Sequence, residues 1–393
     1  MSESSGHVVI APDKFKGSLT AAEVAARVAA GLGPDVATVA VPVADGGDGT
    51  VDAAVAAGFD RVEAEVAGPT GEPVRAAYAW REAGGTPTAV VELAEASGLR
   101  RLPGGPRALT ATSRGTGELI AHAVRRGARR IVLGLGGSAC TDGGTGMMTA
   151  LGVRFLDADG RELPPGGAAL ADLDRIDASG FEASGLGPSG GVEYIVAGDV
   201  DNPLLGPHGA AAVYGPQKGA GPEDVALLEK GLVRLAAVAA HTHGLAGAAE
   251  HDGVVRAMGV AARPGAGAAG GVGFAALAFL GADLRPGIEY LLDLLRFHDR
   301  LPGARLVITG EGALDEQTLR GKAPAGVAVA AAKAGVPVVA VCGRRTLDDE
   351  ELAAAGISAA YALTDLEPDP EVCMAQAGPL LERLARRITA EHL

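Results

Sequence analysis

The chain is written largely as short runs of small and β-branched apolar residues, most of them ending in a turn rich in glycine or aspartate and giving way to a helix-compatible segment. This recurrence restricts the fold more than any single motif. Parallel strands buried on both faces read as continuous apolar runs, and they need crossover helices between them. His7 to Ala11, Thr38 to Val43, Ile131 to Leu133, Arg305 to Thr309, Val336 to Val341 and Ala359 to Leu363 have this form. Among the helix-like stretches, the one that runs to Leu32 starts at Thr20, where Glu23 three residues on completes a capping box. The pattern predicts an α/β protein with a largely parallel sheet, in which ligands gather at the carboxyl ends of the strands.

The middle of the chain is different. Val62 to Leu93 carries Val66, Val74, Tyr78 and Trp80 among turn signals and reads as antiparallel strands, while Asp157 to Ile195 is rich in glycine, proline and aspartate. A chain of 393 residues is also too long for one ordinary core. The expected organisation is a discontinuous, Rossmann-like parallel-sheet domain from residues 1–66, about 110–155 and 290–393. A second α/β domain, from about 67–109 and 156–289, is inserted into it.

Composition narrows the function. Hydrophobic residues make up 48% and aromatics only 3%, so the core must be built from Ala, Val, Leu and Ile. A net charge of −14 argues against a nucleic-acid partner or an anionic membrane surface, and an anionic substrate needs local relief from lysine, arginine or a metal. Cys140, Cys342 and Cys373 are odd in number and far apart, which fits a reducing cytoplasm and no zinc site. No secretory signal is visible at the start, and the uncharged stretch Pro264 to Ala282 holds six glycines, reading as turn-rich and not as a membrane span.

Chemistry collects in the turns. Ile131 to Gly144 runs from a buried strand into a glycine-rich turn of the kind that cradles phosphate, followed by the helix-compatible Thr145 to Leu151. A carboxylate inside such a turn, Asp142, repels an anion unless a cation lies between them, and this suggests Mg²⁺. Gly134 to Ala139 also matches the G-x-G-x-x-A dinucleotide fingerprint, with Asp157 where a ribose-binding acid belongs, so a nicotinamide-dependent dehydrogenase is the alternative. There is no Walker A loop.

Lys14 and Lys16 follow the first strand and can neutralise phosphate, with Lys16, beside Gly17 and Ser18, the better placed. Asp45 and Asp48 stand three residues apart among glycines, suited to Mg²⁺ or to accepting a hydroxyl proton. Asp199, Asp201 and Asn202 form a third acidic turn, suited to a metal or a substrate hydroxyl, and Gln217 and Lys218 a further polar one. Glu311, Asp315, Gln317, Thr318, Arg320 and Lys322 crowd a single strand exit; the acids are candidate metal or substrate ligands, and Arg320 and Lys322 can grip carboxylate or phosphate.

Taken in order, Ala11 to Leu19, Pro42 to Thr50, Gly136 to Gly144, Asp199 to Gly206, Gly310 to Asp315 and Gln317 to Pro324 resemble the type 1 glycerate kinase family across nearly the whole chain. The resemblance implies Mg²⁺- and ATP-dependent phosphorylation of D-glycerate in the cytoplasm, usually at the 2-hydroxyl, with the 3-hydroxyl or another small hydroxy acid as alternatives. It implies two α/β domains, one flavodoxin-like and discontinuous, with the active site in a cleft between them; a homodimer is allowed. On this reading Gly136, Gly137 and Ser138 cradle phosphate with Lys14 and Lys218 nearby, and Lys16 stabilises the transferred group. Asp45, Asp48 and Asp142 serve the metal, and Asp199 is the base, with Asp45 the alternative. Asn202, Glu311, Asp315, Arg320 and Lys322 bind substrate or a nucleotide phosphate. Cys140, Thr141 and Ala313 depart from the Thr, Asn and Arg usual at those places in the family, and Arg320 or Arg114 is available to replace the missing arginine.

Overall fold

A computed structural model describes residues 6–82, 85–243, 248–251 and 254–393. The chain divides into two compact units. The first comprises residues up to Asp45, Asp52–Phe59 and Pro286–Leu393; the second comprises Gly46–Val51 and Asp60–Arg285.

The first unit is built on a five-stranded sheet in the order Ala359–Ala362, Val338–Arg345, Ala304–Leu314, His7–Pro12, Thr38–Ala40, every neighbour parallel. The two ends of the chain therefore share one sheet. Its core is aliphatic, as the scarcity of aromatics requires: Val8, Ile10, Val24, Val28, Ile308, Val339, Leu381 and Ile388 all have exposures of 0%. Helix Ala21–Leu32 begins as its sequence predicts, with Glu23 N–H donating to Thr20 Oγ1 and Thr20 N–H donating to Glu23 Oε2. It lies against the C-terminal helix Ala377–His392, where Arg27 pairs with Glu382 at 2.8 Å.

The second unit holds a six-stranded mixed sheet in the order Asp283–Arg285, Glu193–Ala197, Arg130–Gly134, Thr88–Glu92, Pro73–Arg81, Asp60–Ala67. The first four strands are parallel and the last two antiparallel, in line with the reading of Val62 to Leu93. Val66, Tyr78 and Trp80 are buried in its core. One expectation fails: residues 110–155 do not join the chain ends. Strand Arg130–Gly134 pairs on both sides with strands of the second unit, and Asp60–Ala67, expected in the first, pairs there too. Among the described residues no helix is long and apolar enough to cross a membrane; Ala268–Ala278 is the helix within the uncharged stretch.

Candidate functional site

In the first unit Pro12 is in register with Gly310, so Asp13, just past the end of its strand, lies next to Glu311, which is still within strand Ala304–Leu314 and in register with Cys342. Both side chains are buried at the sheet's carboxyl edge. Asp13 Oδ1 accepts from the Lys14 amide at 2.6 Å and faces Lys14 Nζ at 3.5 Å. Burial nevertheless pushes the Asp13 carboxyl up to about 7, with Lys14 opposing the rise and Asp45 and Glu311 adding to it. Glu311 is displaced the same way by burial, although Thr318 Oγ donates to it at 2.5 Å and Lys322 Nζ stands 3.6 Å away; Asp315 and Asp45 add to the rise.

Lys322 also faces Asp315 at 3.9 Å, and Asp315 Oδ1 accepts from the Gln317 amide. Lys16 is exposed on a turn closed by Phe15 N–H donating to Leu19 O, with the Phe15 ring buried beneath. Arg320 ends the short helix Thr318–Arg320, and its side chain lies outside the described residues. The first unit thus brings together Asp13, Lys14, Asp45, Glu311, Asp315 and Lys322. Asp13 was missed as a site residue; its direct succession to the strand through Pro12 was the available signal.

In the second unit Glu92, Gly134 and Ala197 are aligned at the carboxyl ends of three parallel strands. The Gly46–Gly49 turn is pressed onto these ends. Gly136 N–H donates to Gly46 O at 3.3 Å, and a Cβ on Gly136 would lie 2.4 Å from Gly47 Cα, so only glycine permits this approach. Glu92 is almost fully buried and accepts from the amides of Gly49 at 3.0 Å and Val51 at 3.2 Å. Arg100 joins Asp48 at 2.7 Å to Glu95 at 2.6 Å and approaches Glu92 at 3.4 Å. Burial, with Asp48 adding to it, pushes Glu92 up to about 8. Glu92, Glu95 and Arg100 were also missed: Glu92 closes the stretch read as strands, and nothing in the sequence joins it to Glu95 and Arg100.

Asp142 has an unexpected setting. It is fully buried, and its oxygens accept from the Ser113 amide and hydroxyl, both at 2.8 Å, and from the amides of Gly144 at 3.0 Å and Gly146 at 3.2 Å. The anion at the start of helix Thr145–Ala150 is therefore Asp142 itself, where a phosphate was expected. Lys218 is likewise buried, with Nζ donating to Cys140 O at 2.5 Å, and burial pushes its pKa down. It braces the turn from inside.

Asn202 spends both ends of its amide locally, donating to His208 O and accepting from Tyr214 Oη–H. Asp199 is exposed just after strand Glu193–Ala197. Gly136 is half-buried, Gly137 exposed and Ser138 buried. Arg114 pairs with Glu118 at 2.9 Å.

The dinucleotide reading fails on this geometry. A fingerprint helix should lead into a further parallel strand, whereas Thr145–Ala150 is one short helix and Arg154–Leu156 pairs antiparallel with Arg175–Asp177. Asp157 instead closes its own turn, accepting from the Arg161 amide. The three cysteines are free and buried, and burial pushes the Cys140 thiol up, which makes it a poor nucleophile.

Among the described residues no three His, Cys, Asp or Glu side chains converge closely enough to enclose a metal ion by themselves. Mg²⁺ at phosphate sites needs only one or two carboxylates, the rest of its shell being water and phosphate oxygen. The crowded acids around Asp13, Asp45 and Glu311 fit that requirement, since each raises the cost of ionising another. Asp142, saturated by amides and a hydroxyl, does not.

Two α/β units with charged or glycine-lined turns at their strand ends define an α/β protein built to take ligands at those ends. The chain belongs to the glycerate kinase family, whose model matches residues 8–393. It is 43% identical over 390 residues to a glycerate kinase of Bacillus subtilis (strain 168), covering 98% of this chain and 97% of the relative. It is 43% identical over 364 residues to a glycerate 2-kinase of Escherichia coli (strain K12), covering 91% and 90%. The crystal structure of a candidate glycerate kinase 2 from Salmonella typhimurium LT2 aligns with a TM-score of 0.80 at 40% identity, covering 98% of each chain.

Proposed function

We propose that this enzyme transfers the γ-phosphoryl group of ATP to D-glycerate at the 2-hydroxyl, giving ADP and 2-phosphoglycerate, in the cytoplasm. The observation that carries the reading is the pair of strand-end turns in the second unit, where the main chain of Gly136 meets that of Gly46 and Gly47 at a distance only glycine allows. Such a surface suits phosphate oxygens. Likeness to a relative named glycerate 2-kinase supports the choice of hydroxyl.

Phosphoryl transfer asks the protein mainly for alignment and for charge to offset the transferring oxygens. The Gly136 amide already serves Gly46 O, so the phosphate cradle rests chiefly on Gly137 and Ser138. Lys16, exposed on its turn, offsets the transferred group, with Lys14 assisting. Asp45, near Asp13 and Glu311, holds Mg²⁺, which when bound neutralises phosphate charge. Asp199 orients or deprotonates the hydroxyl. Lys322 and Arg320 bind the carboxylate of glycerate, and Asp315 and Glu311 fix Lys322 in place. Asp142 and Lys218 hold the turn and do not touch ligand.

A coupled assay for ADP formation with ATP and D-glycerate, followed by phosphorus NMR of the product, tests the proposal. Lys16→Ala and Asp199→Ala should each lower turnover by about a hundredfold or more while the protein stays folded. A 3-phosphoglycerate product corrects the regiochemistry, and no glycerate-dependent ADP overturns the reading.

A further inference from the structure

Asp48 presents a difficulty within the second unit. A side-chain carbon placed on Gly137 would lie 3.9 Å from Asp48 Cβ, so this carboxylate stands beside the turn to which the reading above assigns phosphate. A carboxylate there repels the ligand. What faces it is Arg100, whose Nη1 is 2.7 Å from Asp48 Oδ1 while Nη2 is 2.6 Å from Glu95 Oε1. The guanidinium is held from behind: Glu95 Oε2 accepts from the Ala77 amide at 3.1 Å, and Glu92 fixes the Gly49 and Val51 amides of the turn carrying Asp48.

We propose that Arg100 is a positioning residue that neutralises Asp48 and so keeps the glycine turn open to the phosphates of ATP. Asp48 on this view is a partner of Arg100 and not a metal ligand. The Asp48 and Arg100 side chains are 33% and 46% exposed, so the pair is neither fully screened by water nor locked in the core. An uncompensated unit charge close to phosphate at such a site changes affinity by about tenfold or more. The inference rests on the proposed ATP site, but it concerns binding, which is measured apart from turnover.

Calorimetric titration of the full chain with ATP and Mg²⁺ tests it, alongside the ADP assay and a thermal melt of each variant. Arg100→Gln should weaken ATP binding about tenfold, raise KM for ATP to match and leave kcat within about threefold, with Arg100→Lys recovering most of the affinity. Adding Asp48→Asn to Arg100→Gln should restore ATP affinity, which loss of a merely structural arginine would not allow. Asp48→Asn alone should bind ATP at least as tightly as the parent and keep turnover within about threefold; this arm holds whether or not Arg100→Gln folds.

A double variant no tighter than Arg100→Gln overturns the proposal. So does a tenfold or greater loss of turnover in Asp48→Asn alone, which would return Asp48 to the metal. ATP binding without glycerate-dependent ADP leaves Arg100's role standing and sinks the glycerate reading; no ATP binding by the parent sinks both.

Discussion

The two units handle negative charge in opposite ways. In the first, Asp13, Asp45, Glu311 and Asp315 crowd one strand edge, where the Asp13 and Glu311 carboxyls are pushed up by burial and by neighbouring carboxylates despite Lys14 and Lys322. In the second, the acids near the glycine turns meet fixed donors: Asp142 has amides and a serine hydroxyl, Glu92 has two amides, and Asp48 shares the Arg100 guanidinium with Glu95 and Glu92, although burial and Asp48 still push Glu92 up. A crowded set of carboxylates invites a cation. A satisfied set fixes a backbone. The contrast teaches that the glycine turn proposed for phosphate is fixed by its own protein, while the acidic edge keeps more negative charge than Lys14 and Lys322 offset.

The largest expected effect breaks the second arrangement. Asp142→Ala leaves the amides of Ser113, Gly144 and Gly146 and the Ser113 hydroxyl without their acceptor in a fully buried place. It should cost about 3 kcal/mol, seen as an earlier urea midpoint. A loss under about 1 kcal/mol would show that the turn does not depend on this carboxylate.

A smaller effect separates the two arrangements by pH. Asp13 is raised from 3.8 to about 7 and Glu92 from 4.5 to about 8, so in both cases the folded state holds its proton where the unfolded chain has lost it. Stability from each is therefore fully present below about pH 4 and falls as pH rises, the Asp13 share ending near 7 and the Glu92 share near 8. Asp13→Asn should flatten a plot of stability against pH from 3.8 to about 7, and Glu92→Gln from 4.5 to about 8, each by on the order of 2 kcal/mol, so that only the Glu92 share remains above about 7. Mg²⁺ with nucleotide should act like Asp13→Asn and leave the Glu92 portion in place. An Asp13→Asn profile that overlays the parent would dismiss the idea of crowding at that edge.

The smallest effect is a control away from both acid clusters. Thr20→Ala removes the cap of helix Ala21–Leu32 and should cost about 1 kcal/mol, unchanged over the range in which Asp13 and Glu92 titrate and smaller only in acid, where Glu23, held down by its hydrogen bonds from Thr20, takes up its proton. A cost that changed within that range would mean that the Lys16 turn feels the acidic edge through this helix.

Much of the framework was legible. The Thr20–Glu23 cap, the strands at His7, Arg130 and Ala304, and the antiparallel run with buried Tyr78 and Trp80 all follow from periodicity and turn chemistry acting over a few residues. The site was legible as a set of turns. Lys218 shows the limit: a lysine on a glycine turn reads as a ligand for phosphate, yet its ammonium is buried against a carbonyl 78 positions away in sequence. Glu92 shows the converse, since nothing near it in the chain reveals that its carboxylate meets amides 41 and 43 residues earlier.

The sequence by itself thus determined the alternation of strands, turns and helices, the aliphatic core, and which turns carry chemistry, because each depends on neighbours in the chain. Tertiary structure alone decided that residues 110–155 belong with the six-stranded sheet, that Asp142 serves as the internal anion of its own turn, and that Arg100 faces Asp48. Those outcomes depend on which distant donors and strands arrive at one place. A hydrogen bond or an ion pair is local in space, and the sequence records only what is local along the chain.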